Sequence, residues 1–229
     1  MRVITNNAFK NAFTLAEVLI TLAIIGVVAA MTMPTLINNT NGAQFKTAYK
    51  KGLSVLSQAV VMNIAIDDYD LAGTSVNTTA DGVTPTDKSL ASLYKLFSDR
   101  TNGELLSSAE KDKYLFSIAT DGSTSYSAAT KVPVGNYTFS FQDGIVFSFD
   151  GSKANCTEAV PCFGWIDANG SKGPNKTVAC TVSGGECTDN VIINDIYPIK
   201  MYDQTIAPAS APARAVLYGS ENNPVAKSE

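Results

Sequence analysis

The run from Phe13 to Met33, FTLAEVLITLAIIGVVAAMTM, holds one charged side chain, Glu17. A helix needs about 20 predominantly apolar residues to cross a hydrocarbon core, so this run predicts a membrane-competent helix. No later stretch has a comparable apolar run. After it the pattern changes. Phe45, Tyr49, Leu53, Leu56, Val60 and Ile64 recur at steps of three and four, the stripe of an amphipathic helix with one face on a core. Between the two halves, Pro34 to Gly42 is weak in helix formers and holds a proline that removes a backbone donor. The pattern predicts one helix from Phe13 to about Ile66, bent or loosened between Pro34 and Gly42.

Beyond the helix the chain is polar and rich in turns. Asp67 to Asp87 and Asp121 to Thr130 read as loops. Ser89 to Phe97 reads as a short second helix, and Ser107 to Tyr114 as a further helical turn. Asn136–Phe141 and Ile145–Phe149 alternate apolar and polar residues around Asp143-Gly144, a hairpin signal. Gly164–Asp167 and Asp195–Tyr202 read as two more strands, the second at an edge or bulged because of Pro198. The alternation puts Trp165 and the hairpin aromatics on one sheet face, as core. Residues 206–213 are rich in Ala and Pro, and 219–229 read as a frayed tail. A helix lying on an antiparallel sheet is an α+β arrangement. The divisions are residues 1–12, 13–34 for the apolar half-helix, 35–66 for the amphipathic half, 67–218 for a soluble head, and 219–229.

The lone carboxylate changes the picture. An acid inside a spanning segment costs about 3 kcal/mol on insertion scales, so it needs a partner. No Lys or Arg lies within the segment. A cut between Ala12 and Phe13 would give Phe13 a free amine, mostly protonated at neutral pH. That amine sits four residues before Glu17, one turn away on the same face. It can meet its own Glu17 or that of a neighbouring helix.

The sequence MRVITNNAFKNA, then Phe13, then TLAEVLITLAIIGVVAA, resembles the class III signal of type IV pilins and type II secretion pseudopilins. The resemblance implies cleavage by a prepilin peptidase before Phe13 and methylation of the new amine. It implies that Glu17 neutralises that amine during fibre assembly. Gly26 and Pro34 fall where the family tends to place helix-bending residues. Ala12 stands where the family usually has Gly; both are small. The implied fold is pilin-like, and the implied product is a filament subunit without enzymatic activity. The implied partners are the peptidase, copies of the chain, other pilin-like subunits, an inner-membrane assembly platform and membrane lipid. The implied location is the bacterial inner membrane, with an extracytoplasmic head and an extracellular or periplasmic filament. An ordinary secretory signal cut near Ala29-Ala30-Met31, or a plain anchor, is the competing account. A membrane-tethered binding module that does not polymerise is the competing function.

Composition narrows the chemistry. Net charge is −4 with no basic tract, so nucleic acid is not an expected partner. There is no histidine, which excludes Ser-His and Cys-His nucleophile arrangements. Four cysteines, Cys156, Cys162, Cys180 and Cys187, allow three pairings. Cys156–Cys162 and Cys180–Cys187 are favoured, because each closes a short loop around Pro161 or Gly184-Gly185. A four-thiolate zinc site fits these spacings poorly. In Asp167-Ala-Asn-Gly-Ser-Lys-Gly-Pro-Asn175, oxygen ligands alternate with glycines, and calcium often takes its six to eight oxygens from such loops. Major pseudopilins hold calcium in a C-terminal loop, and the resemblance extends that role to Asp167 and Asn169, with Asp195 or Asp189 completing a cage. An Asn-Gly turn followed by a Gly-Pro turn is the simpler reading.

Overall fold

The computed structural model describes residues 14–76, 91–107, 110, 116–118, 124–126, 136–189 and 191–219. The chain divides into two compact units, residues 1–40 and 41–229. Helix α1 (Leu15–Asp67) contributes to both. Its helical hydrogen bonding continues through Gly26, Pro34 and Gly42, so the loosened turn expected there is absent. A proline removes one donor, and the turns on either side carry the helix across it.

In the first unit the large apolar side chains described in α1 lie open. Leu15 is 78% exposed, Ile25 63% and Leu36 68%. In the second unit the stripe faces inward as its spacing requires. Tyr49, Leu53, Leu56, Ala59 and Val60 are buried, and Phe45 and Ile64 pack against them. Gly42 and Gly52 fall on the same side. A Cβ on Gly52 would come 3.2 Å from Ile166 Cγ2, so its absence lets helix and sheet close up.

The second unit is an α+β head around a six-stranded antiparallel sheet. Its strands are β1 (Glu104–Leu105), β4 (Asn136–Ser140), β5 (Val146–Asp150), β6 (Cys162–Asp167), β9 (Ile196–Tyr202) and β10 (Thr205–Pro208), adjacent in that order. Hairpins β2 (Phe116–Ile118) with β3 (Thr124–Tyr126), and β7 (Val182–Ser183) with β8 (Glu186–Cys187), stand apart from it. The expected hairpin is β4–β5, in register Tyr137↔Phe149 and Phe139↔Phe147. Its turn needs φ +85° at Gly144, and Lys51 ties it to α1 through Asp143 at 2.6 Å. One face carries Tyr137, Phe139, Phe147, Phe149, Ile166, Tyr197, Ile199 and Met201 into the core beneath α1. Tyr49 stacks on Tyr197 with ring centroids 4.1 Å apart.

Several expectations need correction. Trp165 is buried, but on the opposite face, with Leu106, Val146 and Ile196. It pairs with Ser148, while Phe147 and Phe149 lie on the alternate positions. Pro198 sits in β9, which is paired on both sides. Its carbonyl accepts from Ala209 just past the end of β10. A residue's N–H and C=O point the same way from a strand, so the missing donor faces that strand end and costs no bond to β6. The second helix, α2, runs Leu93–Arg100 rather than 89–97, because the Ser92 side chain caps it by accepting from the Lys95 N–H. The loop expected over 121–130 contains β3. The Ala/Pro-rich stretch forms β10 and helix α3 (Ala211–Tyr218), capped by Ser210. The helical turn expected over 107–114 lies largely outside the described residues, as do most of the 67–87 loop and residues 220–229.

Candidate functional site

Thr14 and Glu17 form a closed pair at the N-terminus of α1. The Thr14 N–H donates to Glu17 Oε2 at 2.8 Å, and the Thr14 hydroxyl donates to the same oxygen at 2.8 Å. Thr14 Oγ1 accepts the Glu17 N–H at 3.2 Å. This is a capping box, in which N-cap and N3 residues satisfy each other's free groups. Both residues are exposed. Ala12 and Phe13 lie outside the described residues, so their junction has no geometry to report. From Leu15 to Met33 the mean hydropathy is 2.3, and none of the stretch is buried within the chain. A Cβ on Gly26 would meet nothing.

The second candidate lies in the head. β6 ends at Asp167, opposite Ile196 at the start of β9, and Asp195 comes just before it. That adjacency brings Asp167, Asn169 and Asp195 together. Asp167 Oδ1 accepts the N–H groups of Asn169 at 3.1 Å and Gly170 at 2.9 Å. Asp195 accepts from Asn175 N at 2.8 Å and Lys176 N at 2.9 Å. Asp167 Oδ2 and Asn169 Oδ1 are buried and find no hydrogen-bond partner among the described residues. The Asn175 amide faces the carbonyl oxygens of Lys172 at 3.0 Å and Gly170 at 3.1 Å, and its nitrogen satisfies both. Burial, and the Asp195 charge beside it, push the Asp167 carboxyl well above the usual carboxylate range. Burial also raises Asp195, against the N–H groups of Lys176 and Asn175. Asp189 is held elsewhere, accepting from Thr181 at 2.7 and 2.5 Å.

Residues 8–33 match the family model described as the prokaryotic N-terminal methylation motif. The chain carries the signature of type IV pilin and pseudopilin precursors. Neither the search of curated proteins nor the search of solved structures returned a match. The α+β head behind a long N-terminal helix agrees with a pilin-like fold. The motif and the apolar helix together point to membrane anchoring.

The pilin-like head pairs Cys156 with Cys162 and Cys180 with Cys187. Among the described residues, no group of three or more His, Cys, Asp or Glu side chains could hold a metal. What the loop offers is two carboxylates, an amide oxygen and backbone carbonyls, a hard oxygen set that suits calcium rather than zinc or copper. Asp167 Oδ2 and Asn169 Oδ1 are the buried oxygens of this set without a hydrogen bond among the described residues, while the Gly170 and Lys172 carbonyls are already engaged by Asn175. Thr14 is the site residue that the sequence reading missed. Its signal was present, since Thr14-Leu-Ala-Glu17 has the S/T-x-x-E spacing of a capping box.

Proposed function

We propose that the chain is a structural subunit, a pilin or pseudopilin, of a type IV pilus-like or type II secretion filament. A prepilin peptidase removes residues 1–12 on the cytoplasmic side and methylates the Phe13 amine. The apolar helix then holds the subunit in the inner membrane with its head outside the cytoplasm. During assembly that helix leaves lipid for the filament core, where it packs on helices of other copies and other pilin-like subunits. Each Phe13 amine is neutralised there by the Glu17 of a neighbour.

One observation carries this reading. A helix of mean hydropathy 2.3, unburied by its own chain, coincides with a matched methylation motif. Apolar surface left uncovered by the fold must be covered by lipid or by other chains. N-terminal mass spectrometry of protein from its host tests the processing step. A mature chain starting at methylated Phe13 supports it, and one starting at Met1 or near Thr32 refutes it. A tethered binding module would use the same anchor but give Glu17 no task. Glu17→Ala separates the two: a filament subunit stops assembling with its head still folded, whereas a tethered binder loses nothing.

We also propose that the Asp167–Asn175 loop takes up calcium through Asp167, Asn169 and Asp195. The ion would bring positive charge to two buried carboxylates that, among the described residues, have no salt bridge. Thermal melts of the protein in calcium and in chelator check this. A rise in Tm with calcium that Asp195→Asn abolishes supports the site, and identical melts remove it.

A further inference from the structure

The chain holds three Asn-Gly pairs, Asn41-Gly42, Asn102-Gly103 and Asn169-Gly170. An asparagine before glycine is the most open to attack by the next backbone nitrogen, because glycine has no side chain to hinder the approach. The sequence ranks the three alike; the structure separates them. Gly42 lies inside α1, where the helical ladder takes its N–H and fixes the backbone angles. The Gly170 N–H donates to Asp167 Oδ1 at 2.9 Å, and Asn169 Nδ2 donates to the Gly173 carbonyl at 3.0 Å. Asn102-Gly103 has neither restraint. It links α2 to β1. Asn102 is exposed, and no hydrogen bond holds its amide among the described residues. The Gly103 N–H reaches only Thr101 Oγ1, at 3.4 Å, beyond the usual range for such a bond.

We propose that Asn102 is a site of spontaneous deamidation, which gives the head one further negative charge as the protein ages. A base takes the Gly103 amide proton, and that nitrogen attacks Asn102 Cγ. The new C–N bond closes a five-membered succinimide. The Cγ–Nδ2 bond breaks, and Nδ2 takes up a proton and leaves as ammonia. Water then opens the ring at either carbonyl and releases a proton. One opening gives aspartate; the other gives isoaspartate, whose backbone runs through the former side chain. The fold keeps position 103 for glycine, since a Cβ there would come 3.0 Å from Phe139 Cβ and 3.3 Å from Phe141 Cε1. The new carboxylate would lie on the wall of a cavity shared with Lys51 and Arg100, two cations that favour its charge. Isoaspartate lengthens the backbone just before Glu104 and Leu105 pair with Ser140 and Phe139, so it should loosen β1 where aspartate does not.

The test holds the full chain in detergent at mildly alkaline pH, with chelator present so that no ion braces Asn169. A second sample is held in denaturant. Both are sampled over days by peptide mapping, with each site located by fragmentation in the mass spectrometer. In the folded protein, Asn102 should gain one mass unit at least about tenfold faster than Asn41 and Asn169, since those two must first open locally. In denaturant the three should convert within about threefold of one another, as all precede glycine. Asn102→Gln should remove the gain at that position over the same period, because its longer side chain would have to close a six-membered ring. The proposal is overturned if Asn102 converts no faster than the other two in the folded protein, or if denaturant speeds all three equally.

Discussion

The two disulfides should differ sharply in what they contribute, and loop length does not decide the difference. They span sequence separations of 6 and 7 residues. The chain-entropy relation gives each about 2 kcal/mol, with only about 0.1 kcal/mol between them. Surroundings decide instead. Cys156 is fully buried and Cys162 4% exposed, whereas Cys180 and Cys187 are half-buried. Cys156 is also a junction. Its N–H donates to Leu71 O at 3.0 Å, and its carbonyl accepts the Asp203 N–H at 2.8 Å. It thereby joins the segment after α1 to the β9–β10 turn. The Cys180–Cys187 hairpin has other ties, from Thr188 N to Thr181 O at 2.9 Å and from Arg214 Nη2 to Gly185 O at 2.6 Å. Replacing both Cys156 and Cys162 with Ala should cost about 3–5 kcal/mol, the loop term plus the cavity left behind. Replacing Cys180 and Cys187 should cost about 2 kcal/mol or less. Denaturant unfolding of the two double variants measures this directly. Alkylation under native conditions with rising reductant adds a kinetic readout, in which Cys180 and Cys187 label first. Equal losses in the two variants, or earlier labelling at Cys156, would refute the argument from burial.

Two further outcomes follow from buried and charged groups. Among the described residues, the hydroxyls of Tyr49 and Tyr197 are buried with no hydrogen-bond partner, and burial pushes both phenols up. Tyr197→Phe keeps the ring stack, removes a desolvated hydroxyl, and should raise stability by about 1 kcal/mol in equilibrium unfolding; a loss of that size would show a missed partner. Asp67, the last residue of α1, bonds to Lys95 and Arg100, and the Lys95 bond leads in holding its carboxyl below the usual range. A depressed folded pKa means this stability is present above the ordinary Asp value near 4 and is lost as pH falls through the folded value. Tm measured against pH should therefore fall more steeply below about pH 4 in the wild type than in Asp67→Asn, and parallel curves would count against it.

Local pattern made some of this legible and hid the rest. The α1 stripe could be read because six apolar residues at helical steps leave one solution for the face that goes inward. The β4–β5 hairpin could be read because Asp-Gly and strict alternation act within a dozen residues. Trp165 was misplaced because register, which no local signal states, decides the face. Pro198 misled for a similar reason. The proline rule concerns which side of the strand lacks a partner, and that depends on where β10 ends. The hairpin β2–β3 and helix α3 are too short for a period to declare itself, with three residues in each strand and eight in a helix that holds a proline in its first turn. Asp167 and Asp195 were legible only as candidate oxygen ligands. Their meeting follows from β6 and β9 lying side by side, which links residues far apart in sequence. Ser92 and Thr14 were missed although both carried a capping signal, because the apolar pattern around each drew the reading.

The separation of the two units has a consequence of its own. Among the described residues, every buried hydrophobic residue of the core lies at Tyr49 or beyond. The large apolar side chains described from Leu15 to Leu36 are between 45% and 78% exposed and belong to no core cluster. A chain begun at Asn41 should therefore fold without lipid or detergent. Its shortened helix would start Asn41-Gly-Ala-Gln44, which places a strong N-cap residue three positions before a glutamine. The loss from the new terminus is then at most about 1 kcal/mol, or about 2–4 °C in Tm for a domain of this size. Circular dichroism and a thermal melt of this head, compared with the full chain in detergent, measure it. An aggregating head, or one that melts far below the full chain, would mean that residues before Asn41 help to hold the core. The division of labour would then fail, because the greasy half of the helix would be completing the head rather than waiting for other subunits.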